Sequence, residues 1–218
     1  RKPAASVIEG LRAVDTGTPD FDQMLEDHAN YVKTLRAAGA EVLELPALND
    51  YPDALFVEDT ALCLPQGAIL MKPGAPSRSG EVTHMKAALQ SLYSDVREIS
   101  GEGFIEGGDI LITEREILVG RSERTDEAGV AELRELVKDW GYTVREVLTP
   151  EGVLHFKTDC SLLNADTILS TKRLADSGCF EGYKVVYTAD GEEAAANSIR
   201  FNDFVIMPAE FTETEKTL

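Results

Sequence analysis

The chain repeats a pattern of two short strands joined by a tight turn, then a helix and a third strand. Strand pairs are predicted where apolar runs flank turn residues, at 58–72, 109–120, 161–170 and 198–207. Helices and third strands are predicted to follow at 81–93 and 96–99, 126–140 and 143–147, and 172–175 and 184–187. Repeated units with a period of roughly 40–50 residues are typical of propellers and arrays.

Two further helices complete the pattern. One is predicted at 19–38, with Thr18 as its N-cap and Gly39 at its end, and a strand follows at 41–45. The other begins at 211–218. These segments predict one α/β domain over residues 1–218, a propeller of five ββαβ modules that is truncated at both ends. A chance similarity within an ordinary mixed α/β domain is the alternative.

The composition argues against several classes of function. The 218 residues carry a formal net charge of −18, which disfavours binding to the phosphate backbone of a nucleic acid. Hydrophobic residues make up 43% of the chain, but no apolar run is long enough to cross a bilayer. The three cysteines lack zinc-binding or disulfide spacing, so we expect reduced thiols and a cytoplasmic protein. The oligomeric state stays open.

Acidic residues stand at equivalent places in successive modules. Glu58 and Asp59 lead into the first strand pair, Glu106 and Asp109 lead into the second, and His155 stands before the third. Modules arranged around an axis would bring these positions to one central cleft. Carboxylates beside apolar residues are costly unless a cation pairs with them. A guanidinium group is such a cation, and its planar fork fits carboxylates in bidentate fashion.

Two arginines occupy another pair of equivalent positions, between a strand pair and its helix. They are Arg78 and Arg124. Placed at the rim above a ring of carboxylates, they would suit a zwitterion whose carboxylate meets the arginines. We therefore expect a small-molecule substrate.

Other interpretations of these residues stay open. The acids can be turn residues or ion-pair partners, and carboxylates with a histidine can also hold a divalent ion. His155 can be a hydrogen-bonded structural histidine, and Arg78 and Arg124 can be solvated surface charges. Cys160 lies five residues from His155 and is a less favoured candidate for a nucleophile paired with it, because the two would need a turn to meet.

Six short motifs follow one another along the chain. They are FVED at 56–59, KPGAPSR at 72–78, EGGD at 106–109, SERT at 122–125, LHFK at 154–157 and AAAN at 194–197. In this order they resemble the dimethylarginine dimethylaminohydrolase family of the guanidino-group-modifying, or pentein, superfamily. The resemblance runs from the first residue to the last and implies an α/β propeller of five modules.

The resemblance also implies roles for individual residues. His155 and Glu106 match catalytic residues, whereas the substrate-binding positions match carboxylates, arginines and a leucine whose backbone touches the substrate. Those substrate-binding positions are Leu11, Asp53, Glu58, Asp59, Arg78 and Arg124, with Glu106 also among the carboxylates that hold the guanidinium. Ser79 departs from the family pattern, which often has a second arginine there.

The implied reaction is covalent hydrolysis of an N-methylated arginine to citrulline and an alkylamine, with no cofactor or metal. A cysteine thiolate attacks the guanidinium carbon, and His155 donates a proton to the leaving amine. The family's nucleophilic cysteine lies near its C-terminus, so we expect this chain, which ends at Leu218, to lack it. A deiminase of arginine or a related guanidine, a non-catalytic binding propeller and an inactive fragment are the alternatives.

Overall fold

A computed structural model describes residues 1–12 and 17–218. Within these residues the chain forms three three-stranded sheets and one two-stranded hairpin. In each three-stranded sheet, an antiparallel pair is followed across a helix by a strand that runs parallel to the second. The β-β-α-β order predicted from the repeats is therefore present in three modules, and the fourth strand pair forms as a hairpin.

The strands and helices follow the predicted order closely. The strands are β1 (Ala61–Leu64), β2 (Gly67–Leu70), β3 (Val96–Glu98), β4 (Ile110–Ile112), β5 (Ile117–Arg121), β6 (Val144–Leu148), β7 (Cys160–Leu162), β8 (Thr167–Ser170), β9 (Lys184–Tyr187), β10 (Ile199–Phe201) and β11 (Phe204–Ile206). The helices are α1 (Phe21–Ala37), α2 (Thr83–Leu92), α3 (Glu127–Lys138), α4 (Lys172–Ala175) and α5 (Thr212–Glu215). Among the described residues, none of these helices is both long and apolar enough to span a membrane.

Two predictions near the start of the chain are wrong. The N-cap of α1 is Asp20 and not Thr18, because the Asp20 carboxylate accepts the backbone N–H groups of Asp22 and Gln23. The strand predicted at 41–45 does not form in the described structure. Its backbone meets the chain start, where the Lys2 N–H donates to the Leu45 carbonyl at 3.0 Å, and one such bond does not make a strand ladder.

The central strand β5 joins neighbouring modules through its two faces. Ile117 and Val119 point into a core that contains α3 and side chains of the first sheet, such as Ile69. Leu118 points to the opposite face and packs with Phe156 of the third module. This alternation follows from the two-residue period of a strand, and it leaves all three β5 side chains fully buried.

Arginines at matching positions reinforce the module interfaces. Arg97, the second residue of β3, forms ion pairs with Asp95 and Asp139 and lies 4.1 Å above the Trp140 ring. Arg145, the second residue of β6, pairs with Glu116 at 2.9 Å and donates to the Cys179 carbonyl. Each guanidinium therefore reaches from its own strand to a different module or loop.

Short 3-10 turns precede the first strand of each pair, and four of the six sequence motifs lie at them. These central turns are Val57–Thr60, Gly107–Asp109, Phe156–Thr158 and Glu193–Ala196. Successive central turns contact one another in this order. The repeat therefore gathers the motif residues of different modules in one region, as the sequence predicts.

Gly129 provides a test of how closely α3 packs against the chain that leads to Glu106. A Cβ atom at this position would lie 2.3 Å from the Phe104 carbonyl oxygen. We expect Gly129→Ala to destabilise the fold by about 1–3 kcal/mol, the usual cost of overpacking, although helix propensity alone predicts a stabilisation of about 1 kcal/mol. Urea unfolding would measure this difference.

The exposed position Ala131 on the same helix provides the matched control. Ala131→Gly should cost about 1 kcal/mol, as propensity predicts. A Gly129→Ala protein more stable than its parent would contradict the close packing of α3 against residue 104.

Candidate active site

Three of the predicted residues meet at the central turns. Asp59, Glu106 and His155 come from three modules, and one polar atom of each lies within 4.8 Å of the others. Asp59 and Glu106 are buried, and the His155 side chain is 13% exposed. The equivalence of the modules therefore predicts this convergence correctly.

Glu106 is the most enclosed acid of this group, with no exposed surface. Its carboxylate lies 2.8 Å from His155 Nε2 and 3.3 Å from Arg124 Nη1, and it accepts the Gly74 N–H at 3.0 Å. Burial alone raises the pKa of Glu106, but the hydrogen bond from His155 and the charge of Arg124 outweigh it and hold the pKa below its usual value. Glu106 is therefore a buried carboxylate stabilised in its charged form.

His155 has the complementary electrostatic environment. Burial alone lowers its pKa, but the hydrogen bond to Glu106 and the charges of Asp109 and Asp59 raise the pKa above its ordinary value. The imidazole is thus held near carboxylates that favour its protonated form. Such a group can donate a proton to a leaving group and later accept one from water.

Arg78 does not lie at an open rim, and the sequence-based prediction of its position is wrong. Its side chain is 4% exposed and forms ion pairs with Asp59 at 2.5 Å and with Glu81 at 2.9 Å. It also donates to the carbonyl oxygens of Asp53 and Phe56. These carboxylates raise the pKa of Arg78 despite its burial. Glu81 is absent from the site residues that the sequence predicts, although its three-residue separation from Arg78 is a spacing at which ion pairs form.

Arg124 lies closer to the predicted position. Its side chain is 19% exposed, and its guanidinium contacts Glu106 from the side of the loop that follows β5. The backbone N–H of Arg124 donates to the Ser122 hydroxyl at 2.9 Å, which fixes the loop that carries it. Arg124 therefore combines a buried carboxylate partner with access to solvent.

Asp53 and Leu11 meet at the side of the cluster. The Asp53 carboxylate accepts the Leu11 backbone N–H at 3.0 Å, and burial raises the pKa of Asp53. The Leu11 side chain is exposed. The two residues are therefore in direct contact.

Glu58 lies outside the buried cluster. Its side chain is 64% exposed and pairs with Lys157, the second residue after His155. Asp59, the next residue, points inward, where its carboxylate accepts the Gly108 N–H at 2.9 Å. The side chains of these two adjacent residues thus lie in different surroundings, one exposed and one buried. The predicted grouping of Glu58 with Asp59 and Glu106 is therefore not present.

The cluster contains donors that can hold a metal ion, because two carboxylates and an imidazole are sufficient ligands for a divalent cation. However, Arg78 contacts Asp59 and Arg124 contacts Glu106, so fixed positive charges compete for both carboxylates. The same arginines compete with an organic cation, but a planar organic cation can hydrogen-bond along the free edges of the carboxylates.

None of the three cysteines has the environment of an activated nucleophile. Partial burial raises the pKa of Cys63 and of Cys179, and full burial raises that of Cys160 well above its usual value. Cys160 also donates its S–H to the Phe156 carbonyl. The thiolate is the reactive form of cysteine, so the suggested pairing of Cys160 with His155 is not supported.

Comparison with known protein sequences places this arrangement in a family. A family model described as arginine deiminase matches residues 46–203. The N(G),N(G)-dimethylarginine dimethylaminohydrolase of Pseudomonas aeruginosa is 32% identical over 219 aligned positions, which cover 100% of this chain and 86% of that protein. The protein of the same name from Streptomyces coelicolor is 35% identical over 178 positions, covering 81% and 68%.

Solved structures agree with these matches. A mutant of the Pseudomonas aeruginosa enzyme complexed with citrulline superimposes with a TM-score of 0.95 at 32% identity, covering 99% of this chain and 84% of that one. The N-terminal domain of a cyanobacterial arginine dihydrolase, bound to product, gives a TM-score of 0.81 at 18% identity, with coverages of 97% and 82%. The second match is evidence for the fold alone.

The pKa of His155 has a consequence for stability. A histidine whose pKa is higher in the folded state adds stability that is complete below its unfolded pKa of about 6.5 and is lost as the pH rises through the folded pKa. We therefore expect His155→Gln to lower the free energy of unfolding more at pH 5.5 than at pH 8.5. Urea titrations of both proteins at these two pH values would measure the difference.

His28 provides a control of opposite sign, because burial lowers its pKa in the folded state. Replacing His28 by Gln should favour the fold more at pH 5.5 than at pH 8.5. A loss of stability in His155→Gln that is equal at both pH values would contradict the coupling of His155 to the surrounding carboxylates.

Proposed function

The chain belongs to the dimethylarginine dimethylaminohydrolase family, and on that premise we propose that it hydrolyses N-methylated arginine to citrulline and an alkylamine. The observation that carries this proposal is the buried Glu106, which contacts His155 and Arg124 and lies near the carboxylate of Asp59. A charged carboxylate with a protonatable neighbour, facing a second carboxylate, is suited to hold a guanidinium and to transfer a proton to its leaving group.

Asp59 and Glu106 are the residues that we propose hold the guanidinium. Both carboxylates are buried; Asp59 lies in one central turn and Glu106 directly precedes the next, and these two turns contact each other. Low exposure strengthens their hydrogen bonds to a cation, because water does not compete. They would also fix the plane of the guanidinium and so present its central carbon to a nucleophile.

His155 would act as the proton donor and acceptor. Its Nε2 is 2.8 Å from Glu106, so proton transfer to the departing amine would leave a neutral imidazole that remains oriented by the same contact. That imidazole could then accept a proton from the water that hydrolyses the thiouronium intermediate. A cysteine thiolate is the nucleophile in this scheme, and the raised pKa values of Cys63, Cys160 and Cys179 argue against these three.

The amino-acid end of the substrate would meet residues at the edge of the cluster. Arg124 is partly exposed and would receive the carboxylate. Asp53 and the Leu11 backbone, which contact each other, would receive the ammonium group. Arg78 would donate a hydrogen bond to the substrate from Nη1, which carries two hydrogens and also contacts Asp59. Glu58 would bind the substrate only if its carboxylate left the ion pair with Lys157.

The proposal extends to the architecture. We infer one domain over residues 1–218, in which ββαβ modules surround the central turns as part of a five-module propeller. The support is the sequence of contacts between successive turns and the hydrogen bond from the Asn202 side chain to the Ala38 carbonyl, 2.9 Å long, which joins the fourth hairpin to α1. The cytoplasmic location stays a prediction from the cysteines.

A deiminase of unmethylated arginine is the second candidate function. The match of residues 46–203 to the arginine deiminase family model favours it, because the same carboxylates and histidine would serve either guanidine. The two candidates differ in the leaving group, which is ammonia in one case and an alkylamine in the other.

Substrate preference provides the direct test of the function. We expect the full-length protein to release citrulline faster from N-methylated arginines than from arginine, and to act poorly on agmatine, which lacks the carboxylate that Arg124 would bind. Colorimetric measurement of the ureido product with the three substrates side by side would decide. Faster turnover of arginine would move the protein to the deiminase function.

Glu106→Gln tests the central carboxylate. The substitution keeps the size of the side chain but removes a charge-assisted contact, which is worth about 1.5–3 kcal/mol, so we expect a loss of roughly 10- to 100-fold in kcat/KM. Glu116→Gln is the matched control, since Glu116 also pairs with an arginine, Arg145, but lies outside the cluster. Equal activity of the two variants would contradict the role of Glu106.

A further inference from the structure

Asp109 is a fully buried acid that the proposed mechanism leaves unused. One carboxylate oxygen accepts the backbone N–H of Phe156, the residue after His155, at 2.8 Å. The other accepts the hydroxyl groups of Ser122 at 2.8 Å and Thr125 at 2.7 Å. Asp109 thus collects three donors from two segments of the chain.

The direction of these hydrogen bonds determines what the hydroxyls can do next. An ionised carboxylate only accepts, so Ser122 and Thr125 use their hydrogens on Asp109 and turn lone pairs outward. The Thr125 oxygen accepts the backbone N–H of Glu106 at 3.2 Å, and the Ser122 oxygen accepts that of Arg124 at 2.9 Å. One carboxylate therefore orders the backbone beside three residues of the cluster.

The repeat makes Asp109 distinctive. Aspartates recur at the same place in three modules, fifty positions apart, as Asp59, Asp109 and Asp159. Asp59 pairs with Arg78, and Asp159 pairs with Arg173. Among the described residues, Asp109 has no ion pair, and its direct partners are hydroxyls and a backbone N–H. Within the described part of the chain, no cation in direct contact neutralises the negative charge of Asp109, so this charge acts on nearby groups, including His155.

We propose that Asp109 is a positioning residue of the site, which holds Glu106, Arg124 and His155 in register through two hydroxyl groups and one backbone N–H. The inference deepens the proposed function, because the register matters to catalysis only if these residues act on a guanidinium. Misplacement of reacting groups by about 1 Å can cost on the order of 10²-fold in rate.

The charge of Asp109 adds to this positional role. The charged groups that face His155 are the carboxylates of Glu106, Asp109 and Asp59, and all three raise its pKa. The cations near them are Arg124 and Arg78, which contact Glu106 and Asp59. Asp109 is thus the carboxylate of this group whose charge is balanced by neither arginine in direct contact.

A pair of variants at Thr125 tests the positional role, since Thr125 is buried and the two replacements differ in one hydroxyl group. Thr125→Ser keeps the bridge between Asp109 and Glu106, whereas Thr125→Val keeps the shape without the hydroxyl. In the full-length protein we expect Thr125→Val to lose on the order of 10²-fold in kcat, with a smaller change in KM, and Thr125→Ser to remain close to the parent. Equal activity of the two variants would overturn the role of the hydroxyl.

Asp109→Asn and Asp159→Asn form a second matched pair, whose main measurement requires no turnover. The pKa of His155 would be measured by NMR titration, with its resonance identified by its loss in His155→Gln. We expect Asp109→Asn to lower this pKa, whereas Asp159→Asn should leave it unchanged. In a plot of kcat against pH, the transition caused by the ionisation of His155 should shift to lower pH in Asp109→Asn and stay in place in Asp159→Asn. An unchanged His155 pKa in a folded Asp109→Asn protein would overturn the role of its charge.

These measurements separate failure of this inference from failure of the proposed function. A parent protein that releases no citrulline from any methylated arginine would contradict the function. The NMR titrations would still measure the effect of the Asp109 charge on the pKa of His155. If Asp109→Asn does not fold, the Thr125 pair decides the inference, because both of its variants keep the buried aspartate.

Discussion

The hydrogen bonds of the buried Glu106 carboxylate are the interaction on which the site depends. Its partners are the backbone of Gly74, the guanidinium of Arg124 and the imidazole of His155, and they come from successive modules. A buried charge that loses one partner typically costs several kcal/mol. The modules must therefore be assembled for Glu106 to be tolerated, and Glu106 in turn links the segments that the repeat brings together.

Assembly of the modules rests on packing that is independent of the site. The alternating faces of β5 bind α3 and the first sheet on one side and Phe156 on the other. Gly120 allows this approach, because a Cβ atom there would lie 2.4 Å from the Cβ of Phe156. Phe156 follows His155 directly, so the same close contact that joins two modules also limits the position of the imidazole. Rigid packing of this kind is what holds a functional group within a fraction of an ångström.

The sequence predicts much of the fold because its repeats carry local signals. Apolar runs on either side of turn residues such as Pro65 and Asn202 predict the hairpins. Residues 41–45 also have the composition of a strand, but a strand there would need a partner strand that local patterns do not specify. In the site, module equivalence brings Asp59, Glu106 and His155 together as predicted. It does not reveal that Arg78 is buried against Glu81, or that Glu58 faces outward. Adjacent side chains of a 3-10 turn point about 120° apart, so Glu58 and Asp59 cannot both face the cluster.

The balance of charge explains why this cluster is suited to a cation. Five buried carboxylates lie in or next to it, and the cations beside them are two arginines and a protonatable histidine; the acids are Asp53, Asp59, Glu81, Glu106 and Asp109. Burial raises the pKa of Asp53, Glu81 and Asp109, so the loss of hydration of these three carboxylates outweighs the stabilisation that the neighbouring donors and cations provide. An arginine-like ligand brings a guanidinium and an ammonium group against one carboxylate. It would therefore supply positive charge at the place where water has already been excluded, and hydrogen bonds to ionised groups are strongest there.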